Sequence, residues 1–333
     1  MKRTQIIAGA ILLILALGIT AVALTIIIPK TSDEVLIRVD RGDNAATIAG
    51  KLHRAGVIRS ELIFRALAKL SGADKELKTG LYTFGGKVNL MDTVRRLRGG
   101  KSERLTVTIP EGWSLYRTLH RIARSGLIGY DSLYAQATEP GFVKEITGLE
   151  LPSLEGYLYP ETYRFEPGMS AREVLKLQTD EFFRRLDSAG INAKADSTFY
   201  RKLVLASIIE SESMYEDERG TVAGVYMNRL EQGMRLEACP TVDYILEKQG
   251  IHREVLTLDD VNIASPYNTY RNGGLPPGPI CNPSLSSIQA AYNPVKHDYL
   301  FFQADRKGRN VFSRTYAEHL KKMAGLPKRV ESK

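Results

Sequence analysis

Leu203-Val-Leu-Ala-Ser-Ile-Ile-Glu-Ser-Glu212 is the stretch on which the reading of this chain turns. Apolar residues recur on nearly every side of its helical wheel, which predicts a helix buried almost all round. Glu210 interrupts it. At about 100° per residue, Glu210 falls between Ala206, Leu203 and Met214. A buried carboxylate is costly unless it is paired or protonated, so the residues alone predict a raised pKa. A raised carboxyl suits a general acid near neutral pH. A structural glutamate that caps a loop or pairs with an arginine satisfies the same helix, and the helix leaves both readings open. Glu212 cannot face Glu210, because two helical steps set them about 160° apart.

Downstream, the pattern predicts a helix from Thr221 to Gln232 that carries Asn228, and a loop-rich stretch from Pro240 through Pro283. A helix over Ser286–Tyr292, a strand near Tyr299–Gln303, a hairpin at Asp305–Gly308 and a last helix from Tyr316 follow. Upstream, residues 130–198 read as mostly helical, interrupted by residues 154–163.

Earlier still lies an internal repeat at an offset of 70 residues. Val35-Leu-Ile-Arg-Val-Asp-Arg-Gly42 matches Leu105-Thr-Val-Thr-Ile-Pro-Glu-Gly112. Each copy is an alternating strand and a glycine turn. Helices over Asn44–Ala55 and Ser114–Ser125 follow, stopped by Gly56 and Gly126. Between the copies the chain predicts a helix near Glu61–Leu70, strands and turns over Thr79–Gly86, and a helix over Leu90–Arg98. The first copy, with Ile48-Ala49 and Leu52 on its helix, resembles a LysM-type carbohydrate-binding module. A βα spacer unit is the plainer reading.

The first thirty residues differ in kind. Ile6 to Ile28 is an uncharged run of 23 residues behind Lys2 and Arg3. A spanning helix needs about 20 apolar residues. A cleaved signal peptide has a shorter apolar core and a small-residue cleavage site. The run ends in Ile-Ile-Ile-Pro-Lys30, so an uncleaved anchor with its N-terminus in the cytoplasm is expected. Residues 30–34 read as a polar linker. The fold class is thus α+β: a transmembrane anchor over residues 1–30, a small LysM-like βα module over 31–104, and a larger mixed α+β catalytic domain over 105–333. Residues 105–128 repeat the strand–turn–helix of residues 35–58.

The net charge is +8. A protein facing away from the cytoplasm has little use for nucleic acid; anionic lipid or an anionic wall polymer fits better, and simple solubility accounts for the charge equally well. Arg95-Arg96-Leu97-Arg98 and Lys321-Lys322 read as solvated helix faces. Cys239 and Cys281 are the two cysteines, and both a disulfide and free thiols are compatible with the spacing.

No nucleophile elbow, zinc-protease helix, Cys-x-x-Cys pair, phosphate loop or dinucleotide fingerprint is present, and the five histidines stand apart. No metal or cofactor is expected. Carboxylate chemistry remains. A two-carboxylate glycosidase needs an acid and a base flanking the scissile bond, whereas cleavage by a sugar's own hydroxyl needs a single acid.

Ser153-Leu-Glu-Gly-Tyr-Leu-Tyr-Pro-Glu-Thr-Tyr163, Leu205-Ala-Ser-Ile-Ile-Glu-Ser-Glu212 and Val222-Ala-Gly-Val-Tyr-Met-Asn-Arg-Leu230 resemble, in this order, signatures of the endolytic murein transglycosylases, the YceG-like family. Gly233-Met-Arg-Leu236, Pro240-Thr-Val242, Ser265-Pro-Tyr-Asn-Thr-Tyr270, Gly274-Leu-Pro-Pro-Gly278 and Asn282-Pro283 complete the series. The resemblance implies a lysozyme-like site with a single glutamate, in an inner-membrane enzyme. Such an enzyme cuts nascent peptidoglycan internally and leaves 1,6-anhydro-N-acetylmuramic acid ends. It implies Glu210 as the acid, then base, and peptidoglycan synthases as partners. Glu155, Glu212, Asn228, Thr241, Tyr267, Asn268 and Tyr270 are the candidate substrate contacts, with a loop-anchoring role the alternative for Glu155. Cys239 stands where the family often has an acidic residue. A muramidase that uses water and a non-catalytic wall-binding scaffold are the rival readings.

Overall fold

The computed structural model of the chain describes residues 2–100 and 104–325, without the side chains of residues 2–6, 8–12 and 32. Its contacts divide the chain into two units, Met1–Thr106 with Arg164–Met169, and Val107–Tyr163 with Ser170–Lys333. Three two-stranded sheets stand among fourteen α-helices over the described residues, a mixed α+β fold.

In the first unit, helix α1 (Lys2–Ile27) leads into strand β1 (Lys30–Val39), which pairs antiparallel with β2 (Gly80–Val88). Helices α2 (Ala45–Arg54) and α3 (Glu61–Leu70) lie between the strands in sequence, and α4 (Leu90–Gly99) follows. Asn44, Ser60 and Asn89 cap α2, α3 and α4 by accepting main-chain N–H groups; losing such a cap costs about 1 kcal/mol. Alternate strand residues Ile37, Val39, Tyr82 and Phe84 close on Ile48, Leu52, Phe64 and Leu97 to make the unit's core.

Residues 30–34 are not the linker expected. Lys30 and Thr31 pair with Val88 and Lys87, before a register shift between Ser32 and Val35. The Arg59 guanidinium donates to the carbonyls of Ile28, at 3.0 Å, and Pro29, at 3.3 Å. The chain therefore passes from α1 directly into the sheet.

Among the described residues no helix is long and apolar enough to cross a membrane. The span expected over residues 6–28 falls on α1, and the side chains of residues 2–6 and 8–12, Lys2 and Arg3 included, lie outside those described.

A second strand–turn–helix follows, and the division between the units falls within both of its strands. Strand β3 (Leu105–Thr108) pairs with β4 (Thr162–Phe165), and α5 (Leu115–Arg124) is capped by Ser114. Gly56 and Gly126 follow the two equivalent helices, each at φ 75°. Then come α6 (Tyr130–Ala137), α7 (Pro140–Thr147), α8 (Ala171–Ser188) and α9 (Phe199–Glu212). The order continues with α10 (Glu216–Glu231), α11 (Cys239–Lys248), α12 (Leu258–Val261) and α13 (Leu285–Tyr292), and closes with hairpin β5–β6 (Phe301–Ala304, Asn310–Ser313) and α14 (Tyr316–Gly325).

Helix α9 is the axis of the second unit and packs against α10, α11 and α13. Every residue from Leu203 to Ile209 is buried. Each fully buried Leu or Ile there contributes roughly 1.5–3 kcal/mol. Tyr157, Phe182 and Phe199 pack beside them in tilted and edge-to-face pairs, with ring centroids 5.4–6.5 Å apart.

Three expectations are corrected here. Helix α10 starts at Glu216 rather than Thr221, because Glu216-Asp217-Glu218 makes an acidic first turn that complements the helix dipole. The stretch after Ala238 is helical, not loop: Pro240 sits in the first turn of α11, where its missing N–H and fixed φ do no harm. Met214 is not part of the apolar wall around Glu210, since α9 ends at Glu212 and Met214 is 76% exposed.

Candidate active site around Glu210

Glu210 lies in the last turn of α9 with its side chain only 5% exposed. Its carboxylate is paired with an arginine, the structural alternative that the helix left open. Oε1 accepts from Nη2 of Arg219 at 3.0 Å. Oε2 accepts from Ser284, from the main-chain N–H at 2.9 Å and from Oγ at 2.5 Å. Arg219 comes from the first turns of α10, and Ser284 is the residue that caps α13. Three elements converge on one carboxyl group.

Arg219 is buried too, with a side chain 6% exposed. Its Nη1 donates to the hydroxyls of Ser284, at 2.6 Å, and Ser286. Ser284 Oγ thus accepts from the arginine and donates to the glutamate. A carboxylate offers about four lone-pair positions. Oε2 has two donors and Oε1 has one, so Oε1 keeps room for a proton or for a substrate hydroxyl.

The turn after β3 closes over this group. A Cβ on Gly112 would lie 3.5 Å from Cγ of Glu210. The turn is fixed by the N–H of Gly112 donating to Asn282 O at 3.1 Å, and by the N–H of Asn282 donating to Trp113 O at 2.9 Å. Oδ1 of Asn282 accepts from the N–H of Leu158 at 3.0 Å. One asparagine therefore ties the glycine turn, the Leu-Glu-Gly-Tyr segment and the start of α13 together. Gly112 also lines a cavity of about 340 Å³ with Ser114, Ser211, Asp243, Tyr244 and Cys281. That volume is at the small end for ligand sites. Arg117 and Glu247 form an ion pair in its wall.

Glu155 is 6% exposed beneath Tyr244. It accepts from the N–H of Leu115 at 2.7 Å and from Tyr244 Oη at 3.1 Å. Burial pushes its carboxyl up to about 7, against these two bonds. It anchors the start of α5, the alternative role weighed for it. Glu212 accepts from Tyr226 Oη at 3.1 Å, and burial raises it to about 7 as well.

Asn268 and Thr241 are fully buried, which corrects their reading as substrate contacts. The Asn268 amide donates to Val261 O and Ile263 O, and its Oδ1 accepts from the N–H of Tyr270. Thr241 Oγ1 donates to Ala238 O and meets Thr269 Oγ1. Both spend their polar groups on the frame of the loop. Asn228 does the same, donating to His297 O at 2.7 Å and Tyr299 O at 3.0 Å. Tyr267 and Tyr270 are half-buried: the Tyr267 ring lies 5.0 Å from Tyr244, and Tyr270 Oη lies 3.0 Å from Cys239 Sγ. Both cysteines are free, Cys239 exposed and Cys281 buried against Ser207 O.

Arg219, Ser284 and Glu111 were not singled out from the sequence. The acidic run before Arg219, a mark of a helix start, was the available signal, since it places that arginine within reach of the end of α9.

Residues 37–325 match the model of the YceG-like family. The chain belongs to the YceG-like family. Among the relatives of this YceG-like chain, the endolytic murein transglycosylase of Bacillus subtilis (strain 168) is 32% identical over 304 residues, covering 86% of this chain and 83% of the relative. The endolytic murein transglycosylase of Streptococcus pneumoniae (strain R6) is 29% identical over 326 residues, and the match spans only 58% of that protein. The crystal structure of a YceG-like protein from Listeria monocytogenes is 31% identical with a TM-score of 0.58, covering 87% of this chain and 98% of that one.

Proposed function

We propose that this YceG-like chain is an endolytic lytic transglycosylase of peptidoglycan. It cleaves the bond between N-acetylmuramic acid and N-acetylglucosamine inside a strand and leaves a 1,6-anhydro end. The observation that carries this reading is Glu210, whose Oε1 holds one hydrogen bond and keeps room for another, while Arg219 and Ser284 fix the rest of the group. Family membership and the names of the relatives support it.

In this mechanism the protonated Glu210 gives its proton to the glycosidic oxygen as the C1–O bond breaks. The carboxylate left behind takes the proton of the 6-hydroxyl as that oxygen bonds to C1. One proton leaves Glu210 and one returns, so no water is consumed and the group is reset. The Arg219 and Ser284 donors stabilise the carboxylate between the two steps, in a setting that needs no reorganisation. Tyr267, Tyr270 and Glu212 are the contacts proposed for the sugar.

The same proposal places residues 6–28 in the inner membrane, with the N-terminus in the cytoplasm and the site outside it, near the synthases that make new strands. The exposed apolar residues Leu13, Ile14, Leu17 and Ile19 on α1 support an anchor, because lipid would cover them. The β1–α2–α3–β2 order of the first unit, an antiparallel pair around two helices, supports a LysM-like glycan-binding role.

Mass spectrometry of purified peptidoglycan digested by the full chain in detergent tests the reaction. Anhydro ends are expected. Reducing ends would identify a muramidase, and intact strands a scaffold.

A further inference from the structure

Four aromatic rings stand in a row on the surface of the second unit. Tyr116 and His120, one turn apart on α5, have ring centroids 4.4 Å apart. His120 stacks on Tyr130, the first residue of α6, at 4.1 Å. Tyr130 stacks in turn on Tyr134, one turn further along α6, at 5.8 Å. A stack that served only to join two helices would bury its ends. Here the ends are open: Tyr116 is 38% and Tyr134 49% exposed. None of the three tyrosine hydroxyls has a hydrogen-bond partner among the described residues.

We infer that this row is a second glycan-binding surface, on which a peptidoglycan strand rests its sugars beyond the cleavage cavity. The inference rests on the peptidoglycan reading above. A pyranose ring presents an apolar face of C–H groups and an edge of hydroxyls. An aromatic ring is apolar with a negative face, and a tyrosine adds a polar tip. Exposed apolar patches rimmed by polar groups mark binding surfaces. Two observations select glycan as the occupant. The first is continuity: Tyr116 lies between Ser114 and Arg117, both of which line the cavity with Gly112. The row thus begins one residue from the cavity wall. The second is charge. Helix α5 carries Arg117, Arg121 and Arg124, all exposed, and no acidic residue, against the single Asp131 on α6. That balance suits a polymer whose muramic acid residues bear carboxylates.

Such a surface acts on binding and not on bond cleavage. It holds sugars away from the scissile bond, equally before and during the reaction. It therefore lowers KM for strands long enough to reach both places, and leaves kcat and short fragments as they are. Long strands are then favoured, which suits an enzyme that cuts inside a strand.

The test is a fluorine NMR titration of the full chain in detergent, carrying Glu210→Gln and fluorotyrosine, with Tyr116, Tyr134 and Tyr316 assigned by Tyr→Phe variants. Glycan strands freed of their peptides are the probe, and the single disaccharide unit at equal sugar concentration is the control. The strands should shift the Tyr116 and Tyr134 signals and leave Tyr316, a tyrosine of α14 that is 60% exposed, unmoved. The disaccharide should shift none of them. In cleavage with Glu210 intact, Tyr116→Ala combined with Tyr134→Ala should raise KM for strands about fivefold at unchanged kcat, as roughly 40 Å² of apolar ring left uncovered implies. Tyr116→Trp combined with Tyr134→Trp should keep KM near that of the parent. Unmoved Tyr116 and Tyr134 signals overturn the inference whether or not the parent cleaves glycan. An equal shift of Tyr316, an unmoved KM, or a loss that falls on kcat overturns it too. A parent that cleaves nothing contradicts the function proposed above, while the titration still decides the surface.

Discussion

Arg219 Nη2 lies 3.0 Å from Glu210 Oε1, nine residues on in the sequence and on the next helix, with both side chains all but removed from solvent. A buried pair of this kind contributes little relative to an apolar pair of the same shape, but breaking it leaves one charge uncompensated. The break between α9 and α10 at Ser213–Tyr215 is what brings the two together.

Arg219→Met should therefore destabilise the chain by about 3–5 kcal/mol at pH 7. Denaturant unfolding checks it. The double variant Arg219→Met, Glu210→Gln should recover much of that loss, because no ionised group is then stranded. A double variant no more stable than the single one would show that the arginine acts through packing alone.

Glu155 and Glu212 predict how stability follows pH. Both carboxyls rise to about 7 in the folded protein from an ordinary value of 4.5. The folded state then holds protons that the unfolded state has released, so stability is greatest below 4.5 and falls as pH climbs through 7. For Glu155, buried and bonded on both oxygens, the loss is of the order of 3 kcal/mol. Glu155→Gln should flatten the fall between pH 4.5 and 7.5, measured as denaturation midpoint against pH, and gain on the parent at pH 8. An unchanged slope would mean that Glu155 stays ionised when buried.

Gly156, in the Leu-Glu-Gly-Tyr segment, sits at φ 87°, and a Cβ there would lie 2.7 Å from Pro279 Cγ. The segment and the Pro277–Pro279 turn are pressed together at that point. Gly156→Ala should cost about 2–4 kcal/mol, from the left-handed backbone and the overpacked contact together. Gly126→Ala is the control: φ is 75° and the added carbon meets nothing within 4 Å, so only about 1 kcal/mol is expected. Equal melting temperatures for the two variants would remove the contact from the account.

Local signals carried much of this fold. Helix α3 spans Glu61–Leu70 and α13 ends at Tyr292, as their patterns predict, because an apolar face and a cap act within a few residues. Gly56 and Gly126 end their helices for the same reason. Residues 239–248 were misread because proline and cysteine suggest a loop, whereas a proline in the first turn helps a helix start. Lys30 and Thr31 were misread because their strand depends on β2, more than fifty residues away.

Of the proposed site, the sequence shows the centre and not the setting. Glu210 stood out as a charge on an apolar helix. Its partners did not: the acidic run before Arg219 was the one local signal, and Ser284 reaches it through tertiary packing that no spacing encodes. Asn268 and Thr241 looked like ligand groups because the sequence shows a polar residue but not where its hydrogen bonds go. Both are consumed by main-chain partners.

The central claim is that one proton on Glu210 breaks the glycan. Turnover of peptidoglycan by Glu210→Gln, with glycan binding measured in parallel, tests it most directly. The account predicts retained binding and loss of released fragments by at least a hundredfold, the lower range for removing a general acid. Fragment release at the parent rate would contradict it.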